Sequence, residues 1–278
     1  MKTIDILTIG NLTEDINIIN DKVYKSIGGT SFYSYKVAEK LGYDLRIITE
    51  ISDKLNISKT IDPKKIISQK TQLHTVFENK YLDGQRTQKV IHGPGKIISK
   101  NLSKNLEKIN PKIVFYCPIL NELDSGFLNL FNKSIKICNL QGFIRKTLNQ
   151  RILTKKNLPK IKFEIFDAVI LSEIDTNFEN ALKISSSSKI VCYTMGKKGV
   201  KIIIDNEIKF FKTLNVVAVD ETGAGDVWGT SFIIFYYLMK KDLNESVALA
   251  NISASLSVTG VSDRKIPKYN EILKYYNA

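Results

Sequence analysis

Histidine and arginine are scarce in this 278-residue chain. His74 and His92 are the only two histidines, so a histidine-based metal centre is not expected. Lys+Arg is 41 against Asp+Glu 28, a net charge of +13, yet the arginines are only Arg46, Arg86, Arg145, Arg151 and Arg264. A surface that reads nucleic-acid bases needs planar arginine forks. The excess is lysine scattered along the whole chain, which predicts a solvated lysine surface and no nucleic-acid partner. Cysteine is sparse too: Cys117, Cys138 and Cys192 are odd in number, far apart and without a C-x-x-C pair. That pattern predicts buried free thiols in a reducing compartment. The longest apolar run, Phe232 to Met239, is too short for a bilayer span. The first residues place Asp5 inside the apolar run, which predicts no signal segment and a cytoplasmic protein without a membrane partner. No Walker A motif occurs, and Gly93-Pro94-Gly95 reads as a turn.

What is present is ordinary globular material, 43% hydrophobic and 9% aromatic. Short β-rich runs at Ile4–Ile9, Leu45–Ile51, Ile113–Tyr116, Ile135–Cys138, Ala168–Leu171 and Ile190–Tyr193 alternate with helical stretches. Thr30–Leu41 reads as a helix, with Ser34, Val37, Ala38 and Leu41 on one face and Gly42 as its terminator. Such alternation predicts an α/β domain with a mainly parallel sheet covered by helices. Two stretches break the rhythm. Runs flanking Asn20-Asp21, and runs flanking Asp83-Gly84, read as hairpins that form a small separate sheet. The organisation predicted is a single domain over 1–278, with ribbons near 11–27 and 71–95. Asp226–Lys241 is apolar on nearly every face and reads as one buried helix. Asn244–Thr259 is rich in Ala and Ser and reads as a closely packed helix.

The sharpest local feature is Asp220-Glu221-Thr222-Gly223-Ala224-Gly225-Asp226, which opens the buried helix. Small residues at Gly223, Ala224 and Gly225 let backbone N–H groups converge, and the helix N-terminus adds positive potential. Together they suit a phosphate. Asp226 then sits in the first helical turn, where a carboxylate could take a proton from an attacking hydroxyl. On spacing alone, an N-cap aspartate after a glycine loop is the competing reading.

The motif resembles the signature of the ribokinase-like (PfkB) carbohydrate kinase family, and other segments agree in order. Gly10-Asn-Leu-Thr-Glu-Asp15 is similar to the family's Gly-x4-Asp, whose aspartate binds substrate hydroxyls. Gly28-Gly29, with Leu41-Gly42 thirteen residues on, resembles its double-glycine substrate motif. Thr194-Met195-Gly196-Lys197-Lys198-Gly199 is similar to its nucleotide turn, and Ala250-Asn251 to its adenine-side helix. Gln141-Gly142-Phe143-Ile144-Arg145 resembles an element of inositol-kinase-like members. The ribbons fall where the family places its β-sheet lid.

The chain also departs from the family. Glu221 replaces a small residue, and Tyr33 stands where many sugar and nucleoside kinases carry asparagine. Ser172-Glu173-Ile174-Asp175 is a degraded form of the Asn-x-x-Glu element linked to metal and phosphate.

The resemblance implies a three-layer α/β/α ribokinase-like fold with a small β-sheet lid. It implies a kinase that uses ATP and Mg²⁺ to phosphorylate a hydroxyl of a sugar or polyol, inositol-like compounds included. Asp226 would be the base, with Gly223, Ala224 and Gly225 as the anion hole. Asp15, Gly28, Gly29, Tyr33, Arg86 and Arg145 would face the substrate. Thr194, Gly196, Gly199, Thr222 and Asn251 would hold the nucleotide, and Glu173 and Asp175 would meet the metal through water. A homodimer through the lid is a further expectation. A nucleoside kinase of the same fold and a non-catalytic nucleotide-binding protein are the alternatives.

Overall fold

Strand and helix alternate as the apolar periodicity requires. A computed structural model describes residues 2–19, 21–82, 85–155 and 157–277, and of residues 85 and 86 the backbone alone. The turn residues Asn20, Asp83 and Gly84 lie outside the described residues. In chain order the elements begin with β1 (Lys2–Ile9), β2 (Thr13–Ile19), β3 (Lys22–Gly28), α1 (Thr30–Leu41), β4 (Leu45–Ile51) and β5 (Ile66–Lys70). There follow β6 (Thr75–Leu82), β7 (Gln85–His92), α2 (Ser103–Leu106), β8 (Ile109–Tyr116), β9 (Ile135–Asn139) and α3 (Gln141–Ile144). The ribbon β10 (Arg145–Leu148) and β11 (Arg151–Thr154) precedes β12 (Ala168–Ser172), α4 (Phe178–Ser185) and β13 (Ile190–Thr194). The chain ends with β14 (Val200–Ile204), β15 (Glu207–Phe211), α5 (Ala224–Phe232), α6 (Leu243–Ser257) and α7 (Tyr269–Tyr276). These elements form two compact units, one of residues 1–32, 46–134 and 141–160, the other of residues 33–45, 135–140 and 161–278.

The first unit contains the strand order β8-β1-β4-β5. β1 pairs with β8 and β4 with β5 in parallel register. Ile6, Leu7 and Ile9 of β1 are fully buried, as a strand covered on both faces must be. The same unit holds a separate six-stranded sheet, β10-β11-β7-β6-β2-β3. Both predicted ribbons belong to it: β2 pairs antiparallel with β3, β6 with β7, and β2 joins β6 in parallel. A third ribbon, β10–β11, extends it past β7. Its turn, Asn149-Gln150, runs at φ 48° and 63°, which few residues adopt without glycine.

The second unit orders its strands β15-β14-β13-β12-β9. β9, β12 and β13 are parallel, whereas β14 and β15 run antiparallel as an edge hairpin. α5 buries Val227 to Phe232 without interruption. The helix expected to run on to Lys241 instead changes at Ile233–Leu238, which is π-helical. Lys240 then turns at φ +58°. The Ala/Ser character of α6 brings it against α5, with Ser231 Oγ donating to Ser253 Oγ at 2.8 Å. Phe235, Leu249, Ile252 and Ile272 close a core among α5's extension, α6 and α7. Each such burial is worth about 1.5–3 kcal/mol.

Cys117, Cys138 and Cys192 are buried and form no disulfide with one another. Burial pushes the Cys192 thiol well up. No helix among the described residues is long and apolar enough to cross a membrane.

Candidate active site

The start of α5 is built from its own sequence. Gly223 sits at φ +80°, a left-handed conformation that L side chains rarely adopt, and caps the helix with its backbone. Asp220 pins the approach. Its Oδ1 accepts from Thr222 N at 2.9 Å and its Oδ2 from Ser262 N at 3.0 Å. Ala224 N turns back to Glu221 O at 3.2 Å, so the first turn's later N–H groups carry the outward potential. A Cβ on Gly225 would meet nothing within 4 Å, so the space beside the loop is open there. Asp226 is half-buried in that first turn.

Tyr33 does not stand apart from this loop. A Cβ on Gly223 would lie 2.5 Å from Tyr33 Cζ and 2.6 Å from Cδ1, so the ring is packed on the glycine's Cα. The next residue, Ser34, shares a 2.7 Å hydrogen bond with Thr230 of α5.

In the same unit, Thr194–Gly199 forms the tight connection from β13 to β14. Gly196 and Gly199 adopt φ +53° and +110°, and Met195 N donates to Gly199 O at 2.8 Å. A Cβ on Gly199 would stand 3.1 Å from Lys212 Cα, so both conformation and space call for glycine. Asn251 is committed within the fold: its Oδ1 accepts from Trp228 Nε1 at 2.7 Å and its Nδ2 donates to Lys212 O at 2.9 Å. Glu173 pairs with Lys198 at 2.9 Å, and Asp175 accepts from Ser172 Oγ at 2.7 Å. No group of three or more metal-ligating side chains occurs among the described residues, so a direct protein-held Mg²⁺ cluster is not shown.

The remaining candidates belong to the other unit. Asp15, in β2, is buried and accepts from Thr13 Oγ1 at 2.7 Å. A Cβ on Gly28 would stand 2.7 Å from both the Asp15 carboxyl carbon and Thr13 Oγ1, so the glycine makes room for that carboxylate. Gly29, at φ +91°, lies against Asn11 O, 2.5 Å from its own would-be Cβ. Arg145 opens β10 beside Thr154 of β11. The backbone of Arg86 pairs with Tyr81 in the β6–β7 ribbon, and its side chain lies outside the described residues.

Residues 148–268, which carry the Thr194–Gly199 turn, the loop before α5 and Asn251, match the family model described as pfkB family carbohydrate kinase. This stretch is similar to that family. Asp15, Gly28, Gly29 and Tyr33 lie outside the matched stretch. A deoxyribokinase of Salmonella typhi is 26% identical over 160 residues, 56% of this chain and 45% of the relative. The chain spans less than half the length of the curated relatives it matches. Among solved structures, a pyrophosphate-dependent kinase in the ribokinase family, complexed with a pyrophosphate analog and myo-inositol, superposes with a TM-score of 0.79 at 18% identity. That likeness covers 97% of this chain and 99% of the other. Arabidopsis thaliana ribokinase complexed with ribose and ATP gives 0.75 at 17% identity, over 98% of each chain. The chain thus has the ribokinase-like α/β fold, with a large mixed sheet and a second, smaller one.

Sequence reasoning missed the supports of the Gly10–Asp15 segment. Glu122 is fully buried and its carboxylate takes the N–H groups of Asn11 (3.1 Å), Ile119 (2.9 Å) and Leu120 (2.9 Å). Burial raises its pKa, and those N–H bonds pull it back only in part. Asn11 in turn accepts Glu50 N at 2.7 Å and Thr49 Oγ1 at 3.2 Å. These partners are distant in sequence and follow no motif, so no local signal could have found them.

Proposed function

We propose that the protein is an ATP-dependent kinase that transfers the γ-phosphoryl group to a hydroxyl of a small sugar or polyol. The observation that carries this is the loop before α5. A left-handed Gly223, open space beside Gly225 and Asp226 in the first helical turn combine an anion cradle with a carboxylate. The match of residues 148–268 to a carbohydrate kinase family model supports the same chemistry.

In this reading Asp226 accepts the proton of the attacking hydroxyl as the new O–P bond forms. The helix N-terminus and loop N–H groups stabilise charge on the transferring phosphoryl group. Asp15 accepts hydroxyl groups of the acceptor, with Gly28 and Gly29 admitting it close to the backbone. Mg²⁺ would travel on the donor phosphates, and no protein carboxylate is assigned to it. Three buried cysteines that form no disulfide with one another suit a reducing, cytoplasmic setting. The terminal strand β3, with Val23 and Tyr24 exposed, suits a homodimer through the small sheet.

A second donor deserves a place in the test. Asn251, expected beside the adenine, already has both amide groups engaged by Trp228 and Lys212. That supports a second reading, in which the donor is pyrophosphate, a phosphoryl donor without a base.

The test is a panel of sugars, polyols and nucleosides, offered with ATP-Mg²⁺ or pyrophosphate-Mg²⁺ and scored by the phosphorylated product. The expected result is turnover of a sugar or polyol, reduced about 10²–10⁴-fold in Asp226→Asn with donor binding retained. Near-normal turnover in that variant, or no transfer to any acceptor, sinks the reading. Preferred turnover of a nucleoside would move the acceptor class.

A further inference from the structure

Glu50 is the penultimate residue of β4 and is only 6% exposed. Its backbone is well anchored: the N–H donates to Asn11 Oδ1 at 2.7 Å and the carbonyl accepts from Thr49 Oγ1 at 3.1 Å. Its carboxylate is not. Oε2 is buried and has no hydrogen-bond partner among the described residues. Other buried carboxylates in the same unit are supplied with donors, Glu122 by backbone N–H groups and Asp15 by the Thr13 hydroxyl. A buried carboxylate oxygen left without a donor is costly, and folded proteins retain such groups where something else requires them.

Among the described residues, what lies against this carboxylate is glycine backbone and not a hydrogen-bond donor. A Cβ on Gly95 would stand 2.6 Å from Oε1 and 2.7 Å from Oε2. Gly95, the last residue of a plain turn in the sequence, therefore presents bare backbone to the carboxylate. Any side chain at 95 would displace it.

Backbone contacts connect Glu50 to the Asp15 segment. Asn11 Oδ1 accepts from the Glu50 backbone N–H and the Asn11 carbonyl lies against Gly29, while Gly28 lies against Asp15. Glu50, Asn11, Gly29, Gly28 and Asp15 thus form one contiguous series within a single unit. We propose that Glu50 is a second acceptor-binding carboxylate in the Asp15 site, and that it selects an uncharged acceptor with several hydroxyl groups. The proposal rests on the kinase reading above for its name of acceptor. Its chemistry is simple: an acceptor O–H donates to Glu50 and another to Asp15. Two carboxylates in a poorly solvated site repel sugar acids and sugar phosphates, giving selection by an unfavourable element as well as a favourable one.

The experiment compares wild type, Glu50→Gln and Glu50→Ala by calorimetric titration without donor, by steady-state kinetics and by thermal melting of the free protein. The probes are myo-inositol, ribose and 2-deoxyribose against gluconate and ribose 5-phosphate. Wild type is expected to bind a neutral probe and to reject both anions. Glu50→Ala should weaken acceptor binding and raise acceptor KM at least tenfold, with donor KM unchanged. Glu50→Gln, which keeps an acceptor oxygen, should lose less. Neither variant should melt below wild type, because the carboxylate contributes no hydrogen bond to the fold. The proposal is overturned by unchanged acceptor affinity in Glu50→Ala, by preference for an anionic probe, by lack of binding of any neutral probe to wild type, or by a lowered melting point at unaltered affinity. Binding that depends on Glu50 without any phosphoryl transfer would instead count against the kinase reading and leave the binding role standing.

Discussion

The ring of Tyr33 lies flat against the Cα of Gly223, with 2.5 Å between Tyr33 Cζ and the place a Cβ would take. One residue of α1 thus fixes the height of the loop that opens α5, and the Ser34–Thr230 hydrogen bond at 2.7 Å holds the two helices at that spacing. Gly223 is constrained twice, by this ring and by its φ of +80°. Gly223→Ala is therefore expected to cost about 2–4 kcal/mol in urea unfolding, from backbone strain plus overpacking. Shortening the neighbour should return the packing part. In a double-mutant cycle with Tyr33→Leu, the combined variant should be more stable than the sum of the two singles predicts. Strict additivity would remove the ring from this account.

Gly225 offers the opposite case two residues on. Its added Cβ meets nothing within 4 Å, and its φ is not positive. Gly225→Ala should leave stability unchanged or raise it by about 0.5–1 kcal/mol, because alanine is the better helix former. If the transferring phosphoryl group occupies the open space, the same methyl should lower turnover at least tenfold. Loss of stability with full turnover would show that the space serves the fold and not the donor.

These two glycines also mark how far local sequence reaches. The Asp220–Asp226 signature was legible because its chemistry lies within seven neighbouring residues. α1 and β4 were readable to the residue, since the Gly42 terminator and the buried run of β4 agree with the sequence pattern. The β10–β11 ribbon was not, because Asn149-Gln150 makes its turn at positive φ without glycine. The π-helical stretch after Phe232 was equally invisible: an all-round apolar run reads the same in either helix. Glu50, Asn11 and Glu122 escaped for a third reason. Their hydrogen bonds join positions 39 and 111 residues apart, and only folding brings them together.

Glu122 should prove indispensable to that long-range assembly. Its two oxygens accept only from backbone N–H groups, those of Asn11, Ile119 and Leu120. Glu122→Gln places an amide NH₂ where an acceptor is required and leaves at least one N–H unmatched. The expected loss is about 1–3 kcal/mol in urea unfolding. Because Asn11 is tied directly to this carboxylate, the acceptor KM should rise as well, with the donor KM unaltered. An equally stable Gln variant would mean that the three N–H groups find other partners.

The pH dependence of stability should carry the signature of Glu14, the neighbour of Asp15. Burial pushes its carboxyl up, but hydrogen bonds from Lys25 at 2.8 Å and His74 at 3.3 Å, with their charges, more than offset this and hold it below the usual carboxylate range. A carboxyl whose pKa is lower folded than unfolded adds stability above its unfolded value and loses it as pH falls through the folded one. His74 also shares a 2.7 Å hydrogen bond with Ser52 just beyond β4, so the link joins the start of β6 to β2 and to the end of β4. Wild type should therefore melt above Glu14→Gln at pH 6–7, and the gap should close on acidification below about pH 4. Added salt should shrink it further at neutral pH, since Lys25 is 64% exposed and its pairing is screened. A gap that stays constant from neutral to acid pH would assign the loss to packing of the Glu14 side chain and not to its charge.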